Sequence, residues 1–184
     1  MKNVCKIEHP LIEHKLAFLR DIKTDSSEFR RIVAELSRFL AYEATRDLKT
    51  DNVEVQTPIA KAKVNKIIDA TVIVSIMRAG NGMLDALLTA LPFCSSGHIG
   101  IYRDKFINNT VEYYFKMPEK IKGKNILLAD PLLATGDTAV ASIDRLKQYG
   151  VGEIQFLTIL SCEQGINRVH QFHPDVKIST LGIE

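Results

Sequence analysis

A doubly wound α/β domain with a mainly parallel sheet is the fold class that these 184 residues predict, on three observations. From Thr71 onward, strand-like apolar runs alternate with helix-like periodicity, the order that builds a parallel sheet through helical crossovers. Two of those runs, Thr71 to Met77 and Ile126 to Ala129, are apolar almost throughout, as strands covered on both faces are. Both end in turns of small and polar residues that lead into a helical pattern, and open α/β sheets bind ligands at such strand ends.

In chain order, His9-Pro10-Leu11 opens a short helix through Leu16 and Leu19 to Arg20-Asp21. Asp25 and Glu28 have the spacing of a capping box. Behind them Phe29, Ile32, Val33, Leu36, Phe39 and Leu40 recur on one face of a long amphipathic helix that reaches about Asp47. These helices, within residues 1–50, are expected to pack on the sheet as an appendage. In Tyr42 to Asp47, helix-end ion pairs are the plain reading. Val53 to Pro58 alternates and then breaks, as a short edge strand would, with Ala62 to Asn65 as its partner.

Thr71 to Met77 then enters the turn Arg78-Ala79-Gly80-Asn81-Gly82, and a helix continues through Met83, Leu84, Leu87 and Leu88. Gly97 to Asp104 repeats the pattern, with Arg103 near the strand end and His98 as a structural residue within it. Lys105 to Lys124 is a long, polar, Lys-rich excursion with one strand at Val111 to Phe115. Excursions of this length are more often functional than idle, although a solvated hairpin would have the same composition. Past Ala129 come a helix ending at Tyr149-Gly150, a strand at Ile154 to Leu160, a helix at Gln164 to Phe172 and a strand at Val176 to Leu181. The whole chain, 1–184, reads as one domain.

Composition narrows the class of function. Hydrophobic residues make up 46% of the chain and charged residues 25%, the balance of a globular protein with a real core. A net charge of +2 without a dense Lys/Arg block gives no sign of a nucleic-acid surface. No apolar run approaches the roughly 18 residues of a membrane helix, and Met1 to Lys6 lacks the apolar core of a signal peptide. Cys5, Cys94 and Cys162 are few, odd in number and far apart, which suggests reduced thiols in the cytoplasm. His9 and His14 have no partner at ligand spacing, and no protein metal cage is expected.

The most informative stretch is Ile126 to Ala139, where four apolar residues run into Asp130 and the helical pattern begins after Ala134-Thr135-Gly136-Asp137-Thr138. Strand end, small polar loop and helix start together form an anion site, because unpaired N–H groups and the helix dipole converge there. Gly136 lets the backbone come close, and the Thr135 and Thr138 hydroxyls can donate to phosphate oxygens. A sugar phosphate suits this set, with Asp130 accepting from sugar hydroxyls. An ordinary strand-to-helix turn capped by Asp130 and Thr135 would use the same residues. No Gly-Lys-Ser/Thr follows and the G-x-G-x-x-G spacing is missing, which sets aside the Walker A and dinucleotide loops.

Asp130-Pro131-Leu132-Leu133-Ala134-Thr135-Gly136 resembles the phosphoribosyl pyrophosphate (PRPP) loop of type I phosphoribosyltransferases, in the version carried by uracil phosphoribosyltransferases. Most of that superfamily has two acidic residues in a row where this chain has Asp130-Pro131. His9-Pro10, Tyr42 to Asp47, Arg78-Ala79-Gly80 and Tyr102-Arg103-Asp104 resemble further stretches of the same family in the same order.

The resemblance implies the type I phosphoribosyltransferase fold, a PRPP-binding core over 71–184 and a flexible flap over 104–124. It implies transfer of phosphoribose from PRPP to uracil, giving UMP and pyrophosphate in pyrimidine salvage. Asp130, Arg78 and Arg103 match its catalytic positions, Arg78 and Arg103 also its PRPP contacts, and Asp130, Pro131, Leu132, Leu133, Ala134, Thr135, Gly136, Asp137 and Thr138 its donor-binding loop. It further implies Mg²⁺ carried mainly by PRPP, a homodimer or larger homo-oligomer, and GTP as an activator in some members. Two features depart from the family pattern. Asp137-Thr138 stands where a small residue followed by Ser or Thr is usual, and no Gly-Asp-x-Gly-Asp, the motif of the uracil-contacting segment, occurs in these residues. The alternative is therefore a PRPP-binding regulatory or inactive homologue without the nucleobase site.

Overall fold

The computed structural model describes residues 3–68, 71–104 and 109–184, excepting the side chains of 103, 104 and 109. Its elements are β1 (Val4–Lys6), α1 (Pro10–Arg20), α2 (Ser26–Ala44), β2 (Thr50–Gln56), β3 (Lys61–Ile67), β4 (Thr71–Met77), α3 (Asn81–Ala90) and β5 (Ser95–Asp104). Then follow β6 (Asn109–Lys116), β7 (Asn125–Ala129), β8 (Leu132–Leu133), α4 (Asp137–Gln148), β9 (Ile154–Ser161), α5 (Glu163–Phe172) and β10 (Lys177–Ile183).

The main sheet has the order β1-β10-β9-β7-β4-β5-β6, with β8 pairing β9 beside this path. All its pairings are parallel except β5 with β6. From β4 the chain steps through α3 to β5 on one side, and later returns to β7 on the other side of β4. The strand order therefore reverses between β4 and β7. The sheet is covered on both faces, which explains the near-continuous apolar strands. Ile73, Leu127, Ala129, Leu157 and Leu181 face α1, α2 and α3. Val72, Val74, Ile76, Leu128, Phe156 and Ile178 face α4 and α5.

Within the amino-terminal segment, α1 and α2 do more than append to the sheet. With α3 they supply one of its two covering layers, and Leu16, Leu36 and Leu40 are fully buried there. The His9 ring accepts from the Leu11 N–H at 3.1 Å and caps α1. Asp25 caps α2 by accepting from the Ser27 and Glu28 N–H groups. The Glu28 side chain turns instead to Arg31, so the reciprocal half of the capping box is not made. Arg46 pairs with Glu43 at 2.6 Å, the helix-end ion pair that spacing predicted.

Two expectations need correction. Residues 1–50 are not helical throughout, because Val4 to Lys6 pair with Ile178 to Thr180 and add β1 to the sheet edge. Three residues with one charge leave no periodicity to read. β2 and β3 form their own antiparallel ribbon and are not an edge of the main sheet. Within the 104–124 excursion, β6 pairs antiparallel with β5, and residues 105–108 lie outside the described residues.

Candidate active site

The site residues meet because two parallel neighbours end together. Ser75 of β4 stands beside Ala129 of β7, so Arg78 and Asp130 follow the carboxyl ends of adjacent strands at the reversal of strand order, the usual ligand crevice of such sheets. Gly80 seats the Arg78-Ala79-Gly80 turn. A Cβ there would lie 2.5 Å from the Ala129 carbonyl oxygen and 2.6 Å from that of Ile76. The buried Ser75 hydroxyl donates to Asn81 Oδ1 at 2.5 Å and ties the strand to the start of α3. Arg78 is exposed, and among the described residues no carboxylate pairs with it. On the other side of β4, Met77 pairs with Gly100 of β5. Arg103 continues that strand, and its side chain lies outside the described residues.

Asp130 is partly buried, and its carboxyl is pushed up to about 7 by desolvation, against a Leu132 N–H that favours the charged form. Among the described residues no cation offsets that burial. The site thus holds a carboxyl group whose charge is costly until a polar or cationic ligand arrives.

The stretch after Asp130 is not wholly loop. Leu132 and Leu133 pair with Leu160 and Ser161 as β8, and the Pro131 carbonyl accepts from the Ile159 and Leu160 N–H groups. Leu133 turns its side chain inward. Its side chain is 2% exposed in the core against α4 and α5, and its carbonyl accepts from the Cys162 N–H. Ala134 and Thr135 are exposed, and Thr138 is half-buried on the first turn of α4. Gly136 has φ 86°, a backbone region that favours glycine, and as the N-cap residue it has no side chain with which to cap α4. The positive end of the helix dipole therefore faces the loop.

The seat of this loop, which the sequence reading missed, is α5. A Cβ on Gly165 would lie 2.5 Å from the Ala134 carbonyl oxygen and 2.8 Å from that of Leu133. Both neighbours are backbone, so the loop itself must move to admit a methyl group. Gly165→Ala is expected to cost about 1–3 kcal/mol in denaturant unfolding. Unchanged stability would show that the loop's fit does not depend on this seat. Asp137 bonds Arg168 of α5 at 3.2 Å, and a polar cavity of about 450 Å³ opens beside them, lined by Thr135, Asp137, Gln164, Asn167, Arg168 and Gln171.

On the far side of the crevice, β6 is held against both β5 and α4. Tyr113 lies over Gly100, where a Cβ would come 2.6 Å from the ring, and its hydroxyl is 3.4 Å from the Met77 carbonyl. Arg145 of α4 donates to Glu112 at 2.8 Å and stacks over Phe115 and Tyr149. No group of three metal-ligating side chains is found among the described residues.

A glycine-led loop and helix start thus lie at the reversal of a doubly wound sheet, beside an arginine that is unpaired among the described residues. The fold agrees: the purine phosphoribosyltransferase from Pyrococcus horikoshii Ot3 superposes with a TM-score of 0.58 at 18% identity, over 83% of each chain. The AQ2163 protein from Aquifex aeolicus is closer, with a TM-score of 0.92 at 28% identity, over 98% of this chain and 87% of that one. The uracil phosphoribosyltransferase of Polaromonas naphthalenivorans (strain CJ2) is 46% identical over 100% of this chain and 88% of its own length. The profile of the uracil phosphoribosyltransferase family matches residues 6–184, and the chain belongs to that family.

Proposed function

We propose that this protein transfers the phosphoribosyl group of PRPP to uracil, giving UMP and pyrophosphate, as a step of pyrimidine salvage. The observation that carries the reading is Asp130 and the Ala134–Thr138 loop beside Arg78 at the point where the strand order reverses. Family membership supplies the acceptor, uracil.

In this reading the Ala134 to Thr138 amides and hydroxyls hold the 5-phosphate, with Pro131 and Leu132 shaping the turn. Asp130 accepts from the ribose hydroxyls and stabilises positive charge that develops on the ring as the anomeric carbon exchanges pyrophosphate for a uracil nitrogen. Arg78 and Arg103 neutralise the departing pyrophosphate. Mg²⁺ fits a site with one carboxylate and several phosphate oxygens, since this ion keeps its waters and few protein ligands. When bound, it would lower the charge of the leaving group, and Asp130 would be the carboxylate available to help hold it.

The reading extends to a homo-oligomer in the cytoplasm. Its support is the three free cysteines and the exposed apolar residues of the ribbon end and of α2, with Ile59 95% and Tyr42 75% exposed. GTP activation rests on the family resemblance alone. No helix of the described residues is long and apolar enough to cross a membrane. Family membership favours the transferase over the regulatory alternative.

The donor half is tested by melting the protein with Mg²⁺ and either PRPP or ribose 5-phosphate. A ligand that binds only the native state raises apparent stability by mass action. PRPP is expected to raise the melting temperature more than ribose 5-phosphate at equal concentration, because only PRPP reaches Arg78. Equal shifts would remove the pyrophosphate from the site, and no shift with either would remove the donor.

A further inference from the structure

Asp137 and Arg168 form an ion pair at the start of α4. Asp137 is the first residue of α4, directly after Gly136, and puts a carboxylate where the helix dipole and loop would otherwise receive only the phosphate. Its carboxylate accepts from Arg168 Nε at 3.2 Å, across two elements 31 residues apart in the chain. Arg168 is fixed at two other points. Its guanidinium carbon stands 4.5 Å from the centroid of the Phe172 ring, one turn further along α5. Its stem presses on Gly136, where a Cβ would lie 2.9 Å from Arg168 Cβ. An arginine stacked on a ring and packed on a glycine keeps little freedom, so the direction in which it draws Asp137 is set before any ligand arrives.

We infer that Arg168 is a positioning residue for the donor phosphate: it holds the Asp137 carboxylate on the α5 side of the loop and offsets its charge. The inference rests on the proposed donor role of the loop and adds a residue to it. Arg168 acts through Asp137 and does not touch the reacting atoms. Its loss releases the Asp137 carboxylate from the α5 side of the loop, towards the phosphate, so it weakens capture of PRPP while the chemical step at the anomeric carbon is unaffected. Such repulsion between partly exposed charges is screened by salt.

The test is steady-state kinetics of uracil-dependent pyrophosphate release with Arg168→Gln, which keeps the stem on Gly136 but removes the charge. KM for PRPP is expected to rise about ten-fold, equivalent to about 1.4 kcal/mol, with kcat at saturating PRPP within about two-fold of the parent. The ratio of variant to parent KM is expected to shrink as KCl is raised from about 50 to about 300 mM. In the Arg168→Gln background, Asp137→Ser is expected to bring KM back towards the parent value. Binding of ribose 5-phosphate, followed by thermal shift, is expected to change in the same order and does not depend on turnover.

An unchanged KM in Arg168→Gln would overturn the inference while leaving the proposed activity intact. A raised KM that Asp137→Ser does not restore would also overturn it, because Arg168 would then be contacting the ligand itself or supporting the fold. If the parent protein bound neither PRPP nor ribose 5-phosphate, the proposed function and this inference would fall together.

Discussion

Asp130→Asn is expected to make the protein more stable and nearly inactive. Burial raises the Asp130 carboxyl from 3.8 to about 7, so between those values the folded protein holds a proton that the unfolded chain has released. By linkage, this group's contribution favours folding at low pH and is lost as pH rises towards 7. Above that point the charged group costs on the order of 4 kcal/mol. Asparagine keeps an acceptor for the Leu132 N–H and removes the charge. The melting temperature at pH 8 is expected to rise by about 5–10 °C, with little gain at pH 4. Turnover is expected to fall at least about a hundred-fold, since a group placed to stabilise developing charge acts in the transition state. For the parent, kcat/KM for PRPP should rise with pH through about 7 as the free protein's carboxyl ionises, and Asp130→Asn should abolish that step. Near-normal turnover in the variant would remove Asp130 from the chemistry.

Arg78→Gln is expected to lower kcat/KM for PRPP by about a hundred-fold, with stability unchanged within about 0.5 kcal/mol. The stability half follows from structure: Arg78 is exposed and has no carboxylate partner among the described residues. An arginine maintained for folding would be paired, as Arg46 is with Glu43. Arg78→Lys should recover part of the loss, because it keeps the charge but not the planar fork that suits a pyrophosphate. Stability loss with intact turnover would reverse the assignment.

The legible parts of this protein are those written in local periodicity. The strand at Thr71–Met77, the strand into Asp130 and the helix from Asp137 could be read because their burial comes from neighbours on both faces and leaves an apolar run. Asp130 and the Thr135-Gly136 turn could be read because the chemistry is contiguous in the chain. Contacts made at long separation could not be read. β1 is three residues long and exists through pairing with β10, more than 170 residues away. Nothing near Gly165 or Arg168 announces that they seat the loop and hold Asp137, since the helix pattern there is satisfied by Ile166 and Val169 alone. Leu133 shows the reverse limit: inside a binding motif, its side chain serves the core.

The central claim is that this site transfers phosphoribose, and it stands or falls on pyrophosphate release from PRPP in the presence of Mg²⁺, with and without uracil. Release that requires uracil, is matched by UMP, and does not occur with cytosine, adenine or hypoxanthine is the predicted result. Release at the same rate without any base, or none with uracil although PRPP raises the melting temperature, would contradict it.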